Sequence, residues 1–223
     1  MKKLIFYTLT LLIITSYCSL AQTKTVVVPL NRVHDTSLWY KWKKEECAWM
    51  KLPDLALTKE KVHFRFWEEV QLIEVWTDDY VHFAGRLVNF TEKEGHGVGT
   101  RRSAEYFYSK STDLGPDTAK LIYDLFATNN IFNIPTQESI PGWHSGNDGE
   151  QFLMEYSTPD IYSFREYWTP SYFKQITEAR VMTELVKRLE ETLHIDARWG
   201  AFANQLPEGC YRAGELLMHC NQK

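Results

Sequence analysis

The stretch from Pro141 to Glu150, P-G-W-H-S-G-N-D-G-E, gathers an imidazole, two carboxylates and an indole on one short run of chain. His144, Asp148 and Glu150 are the residue types that ligate metals or exchange protons with a substrate. Trp143 adds a stacking face, and the Gly, Ser and Asn around it mark a loop, where ligand contacts concentrate. The spacing His-x-x-x-Asp-x-Glu matches no motif with a defined mechanism. The same residues therefore also read as a solvated loop in which Asp148-Gly149 turns into the next strand and Trp143 packs on the domain. The sequence calls for no metal and no cofactor.

Aromatic rings are the second chemical resource. With 8 Trp, 12 Tyr and 12 Phe, the chain has too many for all to be buried. Tyr156, Tyr162, Tyr167 and Trp168 cluster on one expected hairpin, Trp67, Trp76 and Phe83 on an expected sheet, and Trp39, Tyr40, Trp42 and Trp49 near the start. An exposed row would stack on sugars or anchor a protein partner, whereas strand alternation turns about half of such residues inward. Tyr162 and Trp168 join Trp143, His144, Asp148 and Glu150 as candidate ligand-binding residues. Gly95, Gly97 and Gly99 make no phosphate loop, because no helix follows and no Lys-Ser or Lys-Thr pair closes the motif. Arg101-Arg102 reads as a solvated strand edge. G-x-S-x-G, H-E-x-x-H and C-x-x-C do not occur, which removes the common hydrolase, zincin and thiol-redox signatures.

The first 21 residues read as an export signal. Lys2 and Lys3 precede an apolar run from Leu4 to Ile14, and Ser19-Leu20-Ala21 offers small residues for cleavage between Ala21 and Gln22. The run falls short of the roughly 20 residues that span a bilayer. Lipidation at Cys18 is the rival reading, against which Tyr17 stands where a small residue belongs. Loss of Lys2 and Lys3 takes the formal net charge from −4 to −6, which leaves no electrostatic footprint for nucleic acid or anionic lipid. Cys47, Cys210 and Cys220 then remain. Cys210 and Cys220 bracket an expected hairpin turning near Ala213-Gly214 and are the natural disulfide pair in an oxidising compartment, the alternative being three reduced, buried thiols. Cys47 reads as a core residue.

The elements that position these residues follow from periodicity. Residues 22–60 read as an irregular lead-in, with a short helix possible between Ser37 and Lys51, and residues 61–223 as a single α+β domain. Alternation in V-H-F-R-F-W, Q-L-I-E-V-W and Y-V-H-F-A-G-R-L-V-N-F predicts an antiparallel meander, with S-A-E-Y-F-Y-S as a fourth strand. Pro116 and Asp117 open a helix that carries Leu121, Ile122, Leu125 and Phe126 toward a core. E-Q-F-L-M-E-Y and D-I-Y-S-F-R-E-Y-W predict a second β-hairpin, and an amphipathic helix is expected from about Tyr172 to Leu193. The fold class expected is α+β: the meander plus the second hairpin, covered on one face by two main helices, with a C-terminal hairpin.

Asp148-Gly149, Phe152, Glu155, Tyr162, Trp168 and Pro170, followed by the long helix, resemble a D-G-x-x-aromatic-x-x-E…Y…W-x-P arrangement of uncharacterised secreted or envelope proteins of Bacteroidota-type bacteria. The resemblance covers roughly residues 115–195, and the Ala-Gln end of the signal is similar to exported proteins of that group. It implies no activity and assigns no site residue. Three functions are therefore expected: a non-enzymatic envelope or secreted binding protein with a protein or glycan partner; a hydrolase of unassigned class using His144, Asp148 and Glu150; or an immunity-type or structural envelope protein.

Overall fold

The computed structural model describes residues 24–30, 34–94, 104–214 and 218–221. Cys18, Ala21 and Gln22 of the expected export signal, and the run from Gly95 to Arg102, lie outside the described residues. Nine strands and four helices follow in order: β1 (Thr25–Val27), α1 (Leu38–Trp49), β2 (Val62–Trp67), β3 (Gln71–Thr77), β4 (Phe83–Glu92), β5 (Phe107–Leu114), α2 (Pro116–Thr128), β6 (Gln151–Ser157), β7 (Ile161–Trp168), α3 (Thr177–Leu193), α4 (Ile195–Ala203), β8 (Gly209–Arg212) and β9 (Met218–Asn221).

Strands β1 to β7 form one seven-stranded sheet in the order β1-β7-β6-β2-β3-β4-β5. The expected purely antiparallel meander is corrected in two ways. The β6-β7 hairpin joins the same sheet, because β6 pairs with β2, and β1 runs parallel to β7 at the edge, so the sheet is mixed. The fourth strand starts later than expected: Ala104–Tyr106 is a 3-10 turn, and β5 extends through Ser109, Lys110 and Asp113 instead.

Strand alternation divides the side chains between two cores, one on each face of the sheet. On one face Phe64, Phe66, Ile73, Val75 and Leu87 meet Ala119, Ile122 and Phe126 of α2 and Met182, Leu185 and Leu189 of α3. On the other, Trp67, Leu72, Val88, Phe90, Leu153, Tyr162 and Phe164 meet Cys47 of α1 and Leu55. Helices therefore cover both faces, not one, and the segment read as a lead-in supplies the second layer. The reason is physical: a face carrying Trp67, Phe90 and Phe164 cannot remain wet at about 25 cal/mol per Å² of apolar surface.

Helix termini follow local chemistry. The Ser37 side chain accepts from the Tyr40 N–H at the start of α1 and donates to Glu166 on β7, tying that helix to the sheet. Pro116 occupies the first turn of α2 with Asp117, as expected. The long helix begins at Thr177 rather than near Tyr172. Pro170–Tyr172 forms a separate 3-10 turn, and Phe173 and Ile176 drop into the core before the helix starts. Left-handed His194 (φ 50°) ends α3 and leads directly into α4. Cys210 and Cys220 face each other in β8-β9 and form the disulfide. The hairpin docks on the main sheet through the Lys93-Tyr211 bridge and on the end of α4 through the Asn221 amide, which donates to the Ala203 and Leu206 carbonyls. No helix among the described residues is long and apolar enough to cross a membrane.

Beneath α1, four adjacent strands place a row of alternating charge: Glu155 on β6, Arg65 on β2, Glu74 on β3 and Arg86 on β4, each directly opposite the next. Arg65 and Glu74 are 1% and 0% exposed. Arg65 Nη2 lies 2.7 Å from Glu74 Oε1, and Nη1 lies 3.4 Å from Glu155 Oε1. Glu74 also holds His63 Nε2 at 2.9 Å and Arg86 Nε. Trp67 Nε1 and the Tyr162 hydroxyl donate to Glu155 at 3.0 and 2.8 Å. Arg65 also reaches the Pro53 carbonyl and Cys47 Sγ, which anchors the α1 layer to the row. Burial pushes the Glu74 carboxyl upward, but His63, Arg65 and Arg86 overcome it and hold it down at about 2.

Exposed helical pairs such as Lys120-Asp124 and Arg188-Glu184 contribute only about 0.3–0.5 kcal/mol each. Removing one partner from a buried row costs far more, so Glu74→Ala is expected to lose about 3–5 kcal/mol in urea unfolding. The folded pKa of Glu74 lies below its unfolded 4.5, so its contribution is present above pH 4.5 and lost as pH falls toward about 2. Acid titration of wild-type stability that shows no loss in this window would contradict the assignment.

Candidate functional site

The loop singled out by residue type divides between core and solvent. Trp143 is 4% exposed, packs on Tyr167 and Phe173 with ring centroids 5.7 and 5.9 Å away, and donates its Nε1–H to the Trp168 carbonyl at 2.8 Å. His144 is exposed, with its ring edge-on to Phe173 and Nδ1 3.3 Å from the Gly142 carbonyl oxygen. Asp148 and Glu150 are also exposed, and Glu150 is held by its backbone, whose N–H donates to Thr169 Oγ1. Tyr162 is fully buried on the α1 face, where its hydroxyl serves Glu155. Trp168 is half-buried against the other core, beside Tyr172 and Phe173. Thus Tyr162 belongs to one core while Trp143 and Trp168 serve the other. Among the described residues, no group of three His, Cys, Asp or Glu is placed to hold a metal ion.

The cavity that merits attention lies elsewhere, along the flank of α1. It measures about 520 Å³ and is walled by Trp39 and Trp42 of α1, Phe90 of β4 and Phe107 of β5. Polar groups reach it from Lys43 and Glu46 of α1, from Glu68 and Glu69 in the β2-β3 turn, and from Gln151 of β6 and Arg212 of β8. Trp39 and Trp42 pack edge to face at 5.3 Å, and Phe90 stacks on Phe107 at 5.8 Å. A volume of this size suits a small ligand or one side chain of a larger partner.

Two carboxylates of the cleft are treated differently. Glu46 is 5% exposed and pairs with Lys43 Nζ at 2.7 Å. The same ammonium lies 4.8 Å from the Trp67 ring centre and 5.1 Å from that of Phe90, so the aromatic wall already holds one cation. Glu68 instead has Oε1 sealed from water with no hydrogen-bond partner. Burial raises its carboxyl to about 8, and Asp196, Glu190, Glu150 and Glu69 push it in the same direction. At neutral pH it is a neutral acid in an acidic neighbourhood. Burial also deals with Cys47: it pushes the thiol well above its usual range despite the nearby Arg65, so Cys47 is a packed thiol and not a nucleophile.

The sequence marks Trp39 and Trp42 only as aromatic rings and passes over Lys43 and Glu46, although the four stand at i, i+3, i+4 and i+7 of one helix. That stripe is the signal of an amphipathic face. It was masked because Lys43 and Glu46 are charged yet buried. Glu68 and Glu69 read only as a tight turn. Neither a scan against protein-family models nor a search of curated proteins finds a match to this chain.

Trp143→Ala is expected to cost about 3–5 kcal/mol, as for a buried indole, whereas His144→Ala should change stability by less than about 0.5 kcal/mol. The folded pKa of Glu68 lies above its unfolded 4.5, so its stabilising contribution is complete below pH 4.5 and lost as pH rises through about 8. Melting curves across that range should show this decline, and Glu68→Gln should remove it.

Proposed function

We propose that the protein is an exported, non-enzymatic binding protein of the envelope or the secreted fraction, and that part of a protein or glycan partner enters the cleft beside α1. The observation that carries this reading is the aromatic wall of Trp39, Trp42, Phe90 and Phe107 around a cavity of about 520 Å³. Such a wall supplies apolar area with little conformational entropy to lose, the combination that marks binding hot spots. The Cys210-Cys220 disulfide supports an oxidising destination, and the sequence resemblance to secreted Bacteroidota-type proteins agrees with it. The raised pKa of Glu68 favours a second reading, a hydrolase in which this acid protonates a leaving group.

Glycan and peptide arrays probed with the mature protein and with Trp42→Ala test both readings. The expected result is a ligand lost by the variant at unchanged melting temperature and recovered with unaltered mass after prolonged incubation. Binding indifferent to Trp42→Ala overturns the cleft, and cleavage of the captured ligand favours the hydrolase. Export is tested by the mass of the protein recovered outside the cytoplasm, expected to begin at Gln22.

A further inference from the structure

Resting on the cleft as the ligand site, we infer that its ligand presents an organic cation, a primary ammonium or guanidinium on an apolar stem, to Glu68. Glu68 lines the cavity, and its Oε1, closed from water, has no hydrogen-bond partner. A buried acceptor in that condition is an open position for a donor. The charges around it select which donor. Glu69 stands on the same turn, Glu150 at the approach to β6, Glu190 on α3 and Asp196 at the start of α4, and all four are acidic. An anion entering this corner meets like charge from four elements, while a cation meets attraction from each.

The cations at the cleft are already engaged. Lys43 is paired with Glu46, and Arg212 Nε is paired with Glu94 at 3.2 Å. The walls suit the rest of such a ligand. Lys43 resting over Trp67 and Phe90 is an internal precedent for an ammonium held against these rings. Trp39, Trp42 and Phe107 offer further apolar surface for a stem. A neutral sugar would stack on the rings and donate hydroxyl hydrogen bonds, but it carries no charge for the four carboxylates to attract.

The proton balance follows from the chemistry. The neutral acid gives up its proton to water as the ammonium docks, leaving a carboxylate-ammonium pair and one proton in solution. Affinity for a cation therefore rises with pH until Glu68 is ionised without help, at about 8.

The test uses three matched probes, 2-phenylethylamine, 2-phenylethanol and 3-phenylpropionate, titrated by calorimetry and by tryptophan fluorescence in buffers of different ionisation enthalpy. The amine is expected to bind about tenfold or more tightly than the alcohol, with the anion weakest. Its binding should release protons near neutral pH. Glu68→Gln should cost the amine about tenfold while leaving the alcohol unchanged. Glu68→Asp, which keeps the acid, serves where the amide variant melts early and should retain preference for the amine. Equal or tighter binding of the alcohol or the anion overturns the cationic assignment, as does amine binding unaffected by Glu68→Gln. If these probes bind alike and all are lost on Trp42→Ala, the cleft stands and only the cation falls. If none binds and array ligands ignore Trp42→Ala, both fall.

Discussion

Four strands meet beneath α1 through one row of alternating charge, Glu155, Arg65, Glu74 and Arg86, and the rest of the architecture accommodates it. Each charge sits opposite a partner of the other sign, and the two inner members are closed from solvent. The desolvation such ions suffer is offset only when every lone pair and N–H is taken up. Here His63, Trp67, Tyr162, Cys47 and the Pro53 carbonyl complete the set. A slip of one residue would set Glu74 opposite Phe64 or Phe66 and Arg65 opposite Ile73 or Val75 and turn the row to the other face, so the ions specify register more than they add stability.

The row also explains how α1 comes to lie where it does. Arg65 bonds Cys47 on the helix and Pro53 just beyond it, so the layer is held at its C-terminal end. At the other end Ser37 joins Glu166 of β7. Burial raises the Glu166 carboxyl to about 7 against the pull of the Ser37 hydrogen bond, so this tie is made by an acid near its own midpoint in neutral solution. Between the two ties the helix presents Trp39, Trp42, Lys43 and Glu46 to the apolar end of the same sheet face. The cleft is therefore the margin of a layer pinned at both ends, where packing stops and aromatic walls remain accessible.

The sheet was legible where one face alternates cleanly. Residues 62–67 and 71–76 alternate because their inward set is apolar on one face and partly polar on the other, and the β6-β7 hairpin is announced by Thr158-Pro159-Asp160 between two such runs. Cys210 and Cys220 were readable because a hairpin places them opposite each other. A short helix was legible between Ser37 and Lys51, but its role as a second layer was not, since it buries Lys43 and Glu46, residues that a hydrophobicity pattern assigns to water. The parallel pairing of β1 was equally hidden: three exposed residues carry no face preference, and only the position of β7 selects their partner. The Pro141 to Glu150 loop shows a different limit of spacing. Its residue types are those of sites, but Trp143 faces the core while the titratable members face solvent, and spacing alone does not report direction.

Two glutamates, one within β3 and one in the turn before it, show how the same side chain is directed to different tasks. Glu74, in the middle of β3, is surrounded by His63, Arg65 and Arg86 and stays ionised down to about pH 2. Glu68, in the turn that precedes β3, has one carboxyl oxygen closed from water without a partner, stands among four carboxylates and stays protonated up to about pH 8. Burial raises both, so it is the neighbours that separate them. A protein that satisfies every atom of one buried carboxyl and leaves the other open a few residues away has the means to close both. Glu60 Oε2, His63 Nδ1 and Ser163 Oγ are closed from water without a hydrogen-bond partner too, but of these four atoms only that of Glu68 belongs to a residue of the cavity wall, where a ligand can complete it.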